Sequence, residues 1–460
     1  MRKILATICL AGAVLSAKGN DDRCTMLRDS ILSNVTGAEV ASDTLSVLKF
    51  GARPDGKTDC RKAIEKAIAK ASRQGGGVVT LPKGEYKVKG PVNLRSNVIL
   101  NIEKDATLQF DPSAEYYPIV ETSWEGTYCY NYSPFIRAFE LENVGISGEG
   151  TIDGNAMTTF ATWRPNQKPA QQRSRQMNHD GVAYEERVFG EGDWLRPQLI
   201  QFFKCTGVSI SGVKIINSPF WCVHLLQSRN IICNGIRYDA KLINNDGIDP
   251  ESSSDILIEN VYFDNGDDNI AIKSGRDDDG RRASTPPCQN IVIRNCHFKG
   301  LHAVVLGSEL SGGIRNVVME NCDVAGYCKR AFYLKSNPDR GGFVENVYVR
   351  NCAFDEVEDL FYITTSYAGE GMGNDKFTKI SDIHVDGLSA QKVSGSAIVI
   401  QGVEALPIEN ISLRGIEVGS AAATLSIENA EGVTISDSFI GGRAGVPTQV
   451  TEKDHLFDRK

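Results

Sequence analysis

The chain has 460 residues, of which 41% are hydrophobic and 23% charged, so it can bury a large core and is not a disordered segment. Its formal net charge of −8 argues against a nucleic-acid-binding protein, whose contact face is usually basic. A polyanionic partner needs a local basic cleft, and cations concentrate between Lys273 and Arg340.

The chain opens with Met1-Arg2-Lys3, an apolar run over residues 4–15 and the small residues Ser16-Ala17. This is the charged, apolar, small-residue order of a secretory leader, so residues 1–19 are expected to be a cleaved signal peptide and the protein periplasmic or secreted. The run is too short to span a bilayer, and no later segment reaches about twenty consecutive apolar residues, so no membrane embedding is expected. Residues 59–72 (DCRKAIEKAIAKAS) place Ala63, Ile64, Ala67, Ile68 and Ala71 on one helical face. The spacing predicts a short amphipathic helix, read as a lid on the first coil of a solenoid.

From residue 143 a unit recurs: a small polar residue followed by alternating β-branched or aliphatic positions. Copies begin at Asn143, Gly207, Asn230, Asp255, Asn290, Asn316, Asn346, Asp382, Asn410 and Gly432. After the first gap, successive starts are 22 to 36 residues apart, a solenoid period with Asn, Gly and Asp turns and no helical pattern between strands. A parallel β-helix follows, with equal phases of neighbouring coils stacked about 4.8 Å apart. Cys296, Cys322 and Cys352 each follow an asparagine at one phase and read as stacked core thiols; the twelve cysteines show no paired metal-ligand spacing. One or two disulfides stay open. Residues 154–198 interrupt the repeat with Trp163, Arg164, Arg173, Arg175, Arg187, Trp194 and Arg196, a mixture that suits either one wall of a sugar-binding cleft or a surface loop.

Carboxylates gather around two coils. Asn244-Asn245-Asp246 precedes one strand unit and Gly266-Asp267-Asp268 follows it, so Asp246 and Asp267 are 21 residues apart, about one coil. Stacking therefore predicts a close carboxylate cluster, able to hold a proton beside an ionised group for acid/base chemistry; calcium binding or turn capping is the competing reading. Asp267 lies twelve residues after Asp255 and His302 twelve after Asn290, which predicts that the two are neighbours. One coil further, Lys335 adds a cation suited to a substrate carboxylate.

FGARPDGKTDCRKAIEKAI and GGGVVTLPKGEY resemble the opening of the pectate-lyase-like β-helix superfamily. Asn244-Asn245-Asp246, Gly266-Asp267-Asp268, Leu301-His302-Ala303 and Tyr333-Leu334-Lys335 resemble, in order, the Asn-Thr-Asp, Gly-Asp-Asp, Gly-His-Gly and Arg-Ile-Lys segments of the polygalacturonases, glycoside hydrolase family 28. The resemblance spans nearly all of residues 45–440. It implies an all-β, single-domain right-handed parallel β-helix over residues 45–445, with a tail over 446–460. It also implies inverting hydrolysis of α-galacturonosyl linkages in pectin without metal or other cofactor; a monomer is expected, with no nucleic-acid or membrane partner. Asp267 would be the general acid, Asp246 and Asp268 would hold and deprotonate water, and His302 would support the acid or the sugar. Asn244, Lys273, Arg276, Tyr333, Lys335 and Arg340 are the expected substrate contacts. Tyr333 departs from the family arginine and keeps a rhamnogalacturonan-directed hydrolase open. ERVFGEGDWLRPQLIQF and KSGRDDDGRR resemble members that trim chain ends. A calcium-dependent pectate lyase and a non-catalytic carbohydrate-binding β-helix are the remaining alternatives.

Overall fold

Ten short strand units with one phase can bury their apolar positions only by stacking, and they do so in a computed structural model that describes residues 22–368, 372–373, 375–441, 447–450 and 456–457. Their first inward residues stand in register from coil to coil: Val144, Val208, Ile231, Ile256, Ile291, Val317, Val347, Ile383, Ile411 and Val433. All belong to one continuous core. The residue opening each unit has a positive φ of 49 to 68°. Asn, Asp and Gly tolerate that conformation best, which is why the repeat opens with no other residue type. The side chains then bond along the axis, Asn290 to Asp255, Asn316 to Asn290 and Asn346 to Asn316 at 2.9, 2.9 and 2.6 Å.

A second parallel column runs beside the first, with Ile136, Ile200, Val223, Ile248, Ile270, Val304, Phe332 and Phe361 in register along the core. A separate six-stranded sheet, from Asp55–Asp59 to Arg237–Asp239, closes the amino-terminal coils on a further side. The architecture is the expected right-handed parallel β-helix, mostly strand, with a helix at its amino-terminal end. That helix, Arg61–Arg73, buries Ala63, Ile64, Ala67, Ile68 and Ala71 in the main core.

The sequence reading assigned no element to residues 22–33, which form a helix on the outside of the coils. Its Cys24 and Ile31 pack against Leu257, Val292, Val318 and Tyr348, the outward positions of four successive repeat units. Cover by this helix explains why those outward positions are apolar. At the other end Pro447–Val450 pairs antiparallel with Ser438–Gly441, and Leu456–Phe457 with Ala430–Ser436, so the tail occupies part of the last coil's edge. The eleven described cysteines are all buried thiols, with no disulfide among the described residues. The predicted leader lies outside the described residues.

Candidate active site

The second column positions the chemistry. Strand Asn265–Ile272 is irregular between Asn265 and Asp268, and this bulge advances the phase by one residue. Asp268, not Asp267, is therefore the register partner of His302, which corrects the equal-phase count. His302 Nδ1 meets Asp268 Oδ1 at 2.6 Å, and Lys335 Nζ donates to Asp268 Oδ2 at 3.0 Å. Both Asp268 oxygens are thus committed to basic side chains. Asp267 is held from behind, its two oxygens accepting the backbone N–H groups of Asn244 and Asp268 at 3.1 Å each.

Asp246, Asp267 and Asp268 come together as the spacing predicts, each with an oxygen within 4.8 Å of one on the others; Asp246 and Asp268 are buried and Asp267 half-buried. This is closer than the roughly 6.5–9.5 Å expected between the carboxyl groups of an inverting pair. Oxygens so spaced can still share one water at about 2.8 Å from each. Three carboxylates this close cannot all ionise. Burial pushes Asp246 well up, with Asp249 and Asp267 adding to the effect, and burial together with Asp268 raises Asp267. Burial also opposes the charge of Asp268, but Lys335 and His302 outweigh it and hold that carboxyl below its usual range. The cluster therefore combines a fixed anion with retained protons. Asp246 Oδ1 and His302 Nε2 are buried without a hydrogen-bond partner and remain available to a ligand. The same three carboxyl groups are spaced closely enough for a cation, but Lys335 already supplies positive charge against Asp268.

The remaining expected substrate contacts divide. Lys335 joins the cluster, although through its bond to Asp268. The Asn244 side chain is occupied by Arg196, whose Nη2 donates to Oδ1 at 2.6 Å. Tyr333 is only 4% exposed and touches the His302 ring edge-on. Lys273, Arg276 and Arg340 were expected to face substrate and instead lie inside the wall. Lys273 and Arg276 pair with Glu309 at 3.2 and 2.6 Å, and Arg340 with Asp277 at 2.7 Å. The physical reason is the buried Glu309 and Asp277, which need these cations to offset desolvation.

Sequence reasoning placed Arg196 only among the Trp and Arg residues of the interruption at 154–198, and passed over Glu309, Asp249 and Arg330. Asp249 is buried 3.8 Å from Lys273, and its oxygens have no hydrogen-bond partner. Arg330 is the register partner of His302, yet it lies fourteen residues into its unit where His302 lies twelve into its own, so counting from unit starts missed it.

The interruption at 154–198 is ordered, with an unpredicted helix at Lys168–His179. It packs with the hairpin Ile119–Trp124 and Thr127–Tyr132 through a second apolar cluster that includes Trp124, Ala170, Phe189, Leu195, Phe220 and Trp221. Arg187 is fully buried and binds both oxygens of Asp279, at 2.5 and 3.1 Å, tying this layer to the short helix Asp277–Arg281. The layer stands over the coil of Trp221, whose neighbour Cys222 donates its N–H to the backbone carbonyl of Asp246. It thus walls the amino-terminal side of the carboxylates. Trp194 and Trp163 meet edge-on at 5.5 Å, and Trp194 is exposed at the surface of this layer.

A parallel β-helix with an acidic cluster of mixed protonation, open to a ligand on one face, defines a glycoside hydrolase. The profile of the glycosyl hydrolases family 28 matches residues 77–437, and the chain belongs to that family. Its fold superposes on a solved exopolygalacturonase from Thermotoga maritima with a TM-score of 0.86 and 35% identity, covering 91% of this chain and 96% of that one. A probable polygalacturonase from Vitis vinifera is 29% identical over 82% of this chain and 74% of its own length. An exo-poly-alpha-D-galacturonosidase from Dickeya chrysanthemi is 27% identical over 82% of this chain and 68% of its own.

Proposed function

We propose that the protein hydrolyses α-galacturonosyl linkages of pectin from a chain end, by an inverting acid/base mechanism. The observation that carries this is Asp267, the one half-buried member of the carboxylate cluster, with its carboxyl raised beside an ionised Asp268. Asp267 donates its proton to the leaving oxygen, while Asp268 deprotonates a water that Asp246 helps to orient. His302 Nε2 bonds the sugar. Family membership and the names of the relatives support a galacturonan substrate, and the wall over Trp221 supports cutting at an end. Such a substrate lies outside the cell, which agrees with the leader-like residues 1–19 and export; the localisation is checked by fractionating the producing cells.

The test is incubation of the purified protein with homogalacturonan, rhamnogalacturonan and oligogalacturonides, with and without chelator. The expected product is saturated monogalacturonate, with its anomeric configuration inverted when first observed by NMR. Unsaturated, calcium-dependent product overturns hydrolysis, a retained anomer overturns inversion, and early mid-chain products overturn end action.

The pH profile checks the two carboxyl roles. Asp268 must be ionised, so kcat/KM rises with pH through its value; Asp267 must be protonated, so kcat/KM falls as pH rises through its own. Lys335 depresses both. Lys335→Met is therefore expected to move both limbs of the bell to higher pH, as well as lowering its maximum.

A further inference from the structure

Arg330 stands apart from the other cations near the site. Its Nε donates to Asp359 Oδ2 at 3.0 Å, and the guanidinium lies over the faces of Tyr333 and Tyr362, 4.5 and 4.3 Å from the ring centroids. Those contacts fix the plane of the group. Among the described residues, no acceptor is found for either Nη, and the side chain keeps 15% exposure. Lys273, Arg276 and Arg340, in contrast, have buried carboxylate partners. A guanidinium tethered through Nε and packed against two tyrosine rings set at right angles, with its two amino ends open, is pre-organised for a two-point bond to a carboxylate.

Its place along the helix says which carboxylate. Arg330 is the strand partner of His302, which is the partner of Asp268, so the three stand on successive coils. Coils are about 4.8 Å apart, which puts Arg330 roughly one sugar unit beyond His302. The ordered layer over Trp221 lies on the opposite side of the carboxylates. An end sugar held under that layer leaves the sugar across the cleaved bond to lie over Tyr333 and Arg330.

We propose that Arg330 is a specificity-determining residue, binding the carboxylate of the galacturonate on the leaving side of the cleaved bond, and that Tyr333 serves as its platform. This rests on the galacturonan reading above. It resolves the departure at Tyr333: the ring occupies the position where a cation was missing, and the cation comes from three residues earlier in the same strand.

The experiment compares kcat/KM on digalacturonate and on the digalacturonate methyl-esterified only at its leaving sugar. Wild type is expected to prefer the free acid about 100-fold, a preference of the kind created by a site whose polar groups are left unpaired by the wrong substrate. Arg330→Gln is expected to lose about 100-fold on the free acid and little on the ester, so that the preference collapses. The ester rate reports whether the variant is folded. Arg330→Lys keeps the charge without the fork and is expected to retain about tenfold preference. Equal slowing of Arg330→Gln on both substrates, or an undiminished preference in Arg330→Lys, overturns the proposal while leaving galacturonan hydrolysis intact; no hydrolysis of either substrate by wild type overturns both readings.

Discussion

Asp267→Asn is expected to slow hydrolysis of an oligogalacturonide by about 10³-fold, within the roughly 10²–10⁴-fold range for losing a positioned general acid. A sugar alkoxide is a poor leaving group and needs a proton as the bond breaks. Asp267 is placed to give it, being the half-buried member of the cluster, and it keeps its proton because burial and the Asp268 anion disfavour its charge. The amide fills the same volume but has no proton to transfer, and only one of its two polar ends can accept the N–H bonds of Asn244 and Asp268. The discriminating measurement is the same substitution on an aryl α-galacturonide with an acidic phenol as leaving group. That bond needs little protonation, so kcat is expected to fall by less than about tenfold. Asp268→Asn, which removes the anion acting on water, is expected to slow both substrates alike. Equal losses for Asp267→Asn on both substrates would assign that residue to structure or to water activation.

The ladder of apolar positions and the carboxylate cluster were legible because both follow from one repeating phase. A strand unit opening with Asn, Asp or Gly states its own boundary, since the positive φ there excludes most other side chains. Legibility ended where the phase slipped. The bulge between Asn265 and Asp268 moves His302 from Asp267 to Asp268, and further irregularity between Phe298 and Gly300 separates Arg330 from the count that located His302. Burial was the other obstacle. Lys273, Arg276 and Arg340 read as free cations because their partners, Glu309 and Asp277, are remote in sequence; a charge in sequence carries no sign of whether it faces solvent or an internal carboxylate. The helix over residues 22–33 left a trace that the strand alternation does not use: Leu257, Val292, Val318 and Tyr348 are apolar at outward phases, a pattern that a covering element explains.

Glu309→Gln is expected to cost about 3–5 kcal/mol of folding stability, the range for removing one partner from a buried ion pair. Glu309 is 7% exposed and receives Arg276 and Lys273, with Arg340 Nη2 3.9 Å away and the Ser308 hydroxyl at 3.0 Å. Neutralising it leaves several buried cations short of a counter-charge, whereas the loss of a surface pair would cost little. The pH dependence separates this electrostatic cause from simple loss of shape. Burial works against the Glu309 charge, but Lys273, Arg276 and Arg340 outweigh it and hold the carboxyl well below its ordinary value of 4.5. A depressed folded-state value means that the contribution is complete above the unfolded value and is lost as pH falls through the folded one. In urea titrations, wild type and Glu309→Gln are therefore expected to differ most at neutral pH and to converge below about pH 4.5. A gap that stays constant down to acid pH would show that the substitution disturbs packing rather than charge. The same network reaches the reaction centre through Lys273, which lies 3.8 Å from Asp249 and helps to lower the carboxyl of Asp246. Lys273 also helps to lower the carboxyl of Asp268, so without Glu309 it acts more fully there and the surviving folded enzyme is expected to show an acidic limb shifted to lower pH.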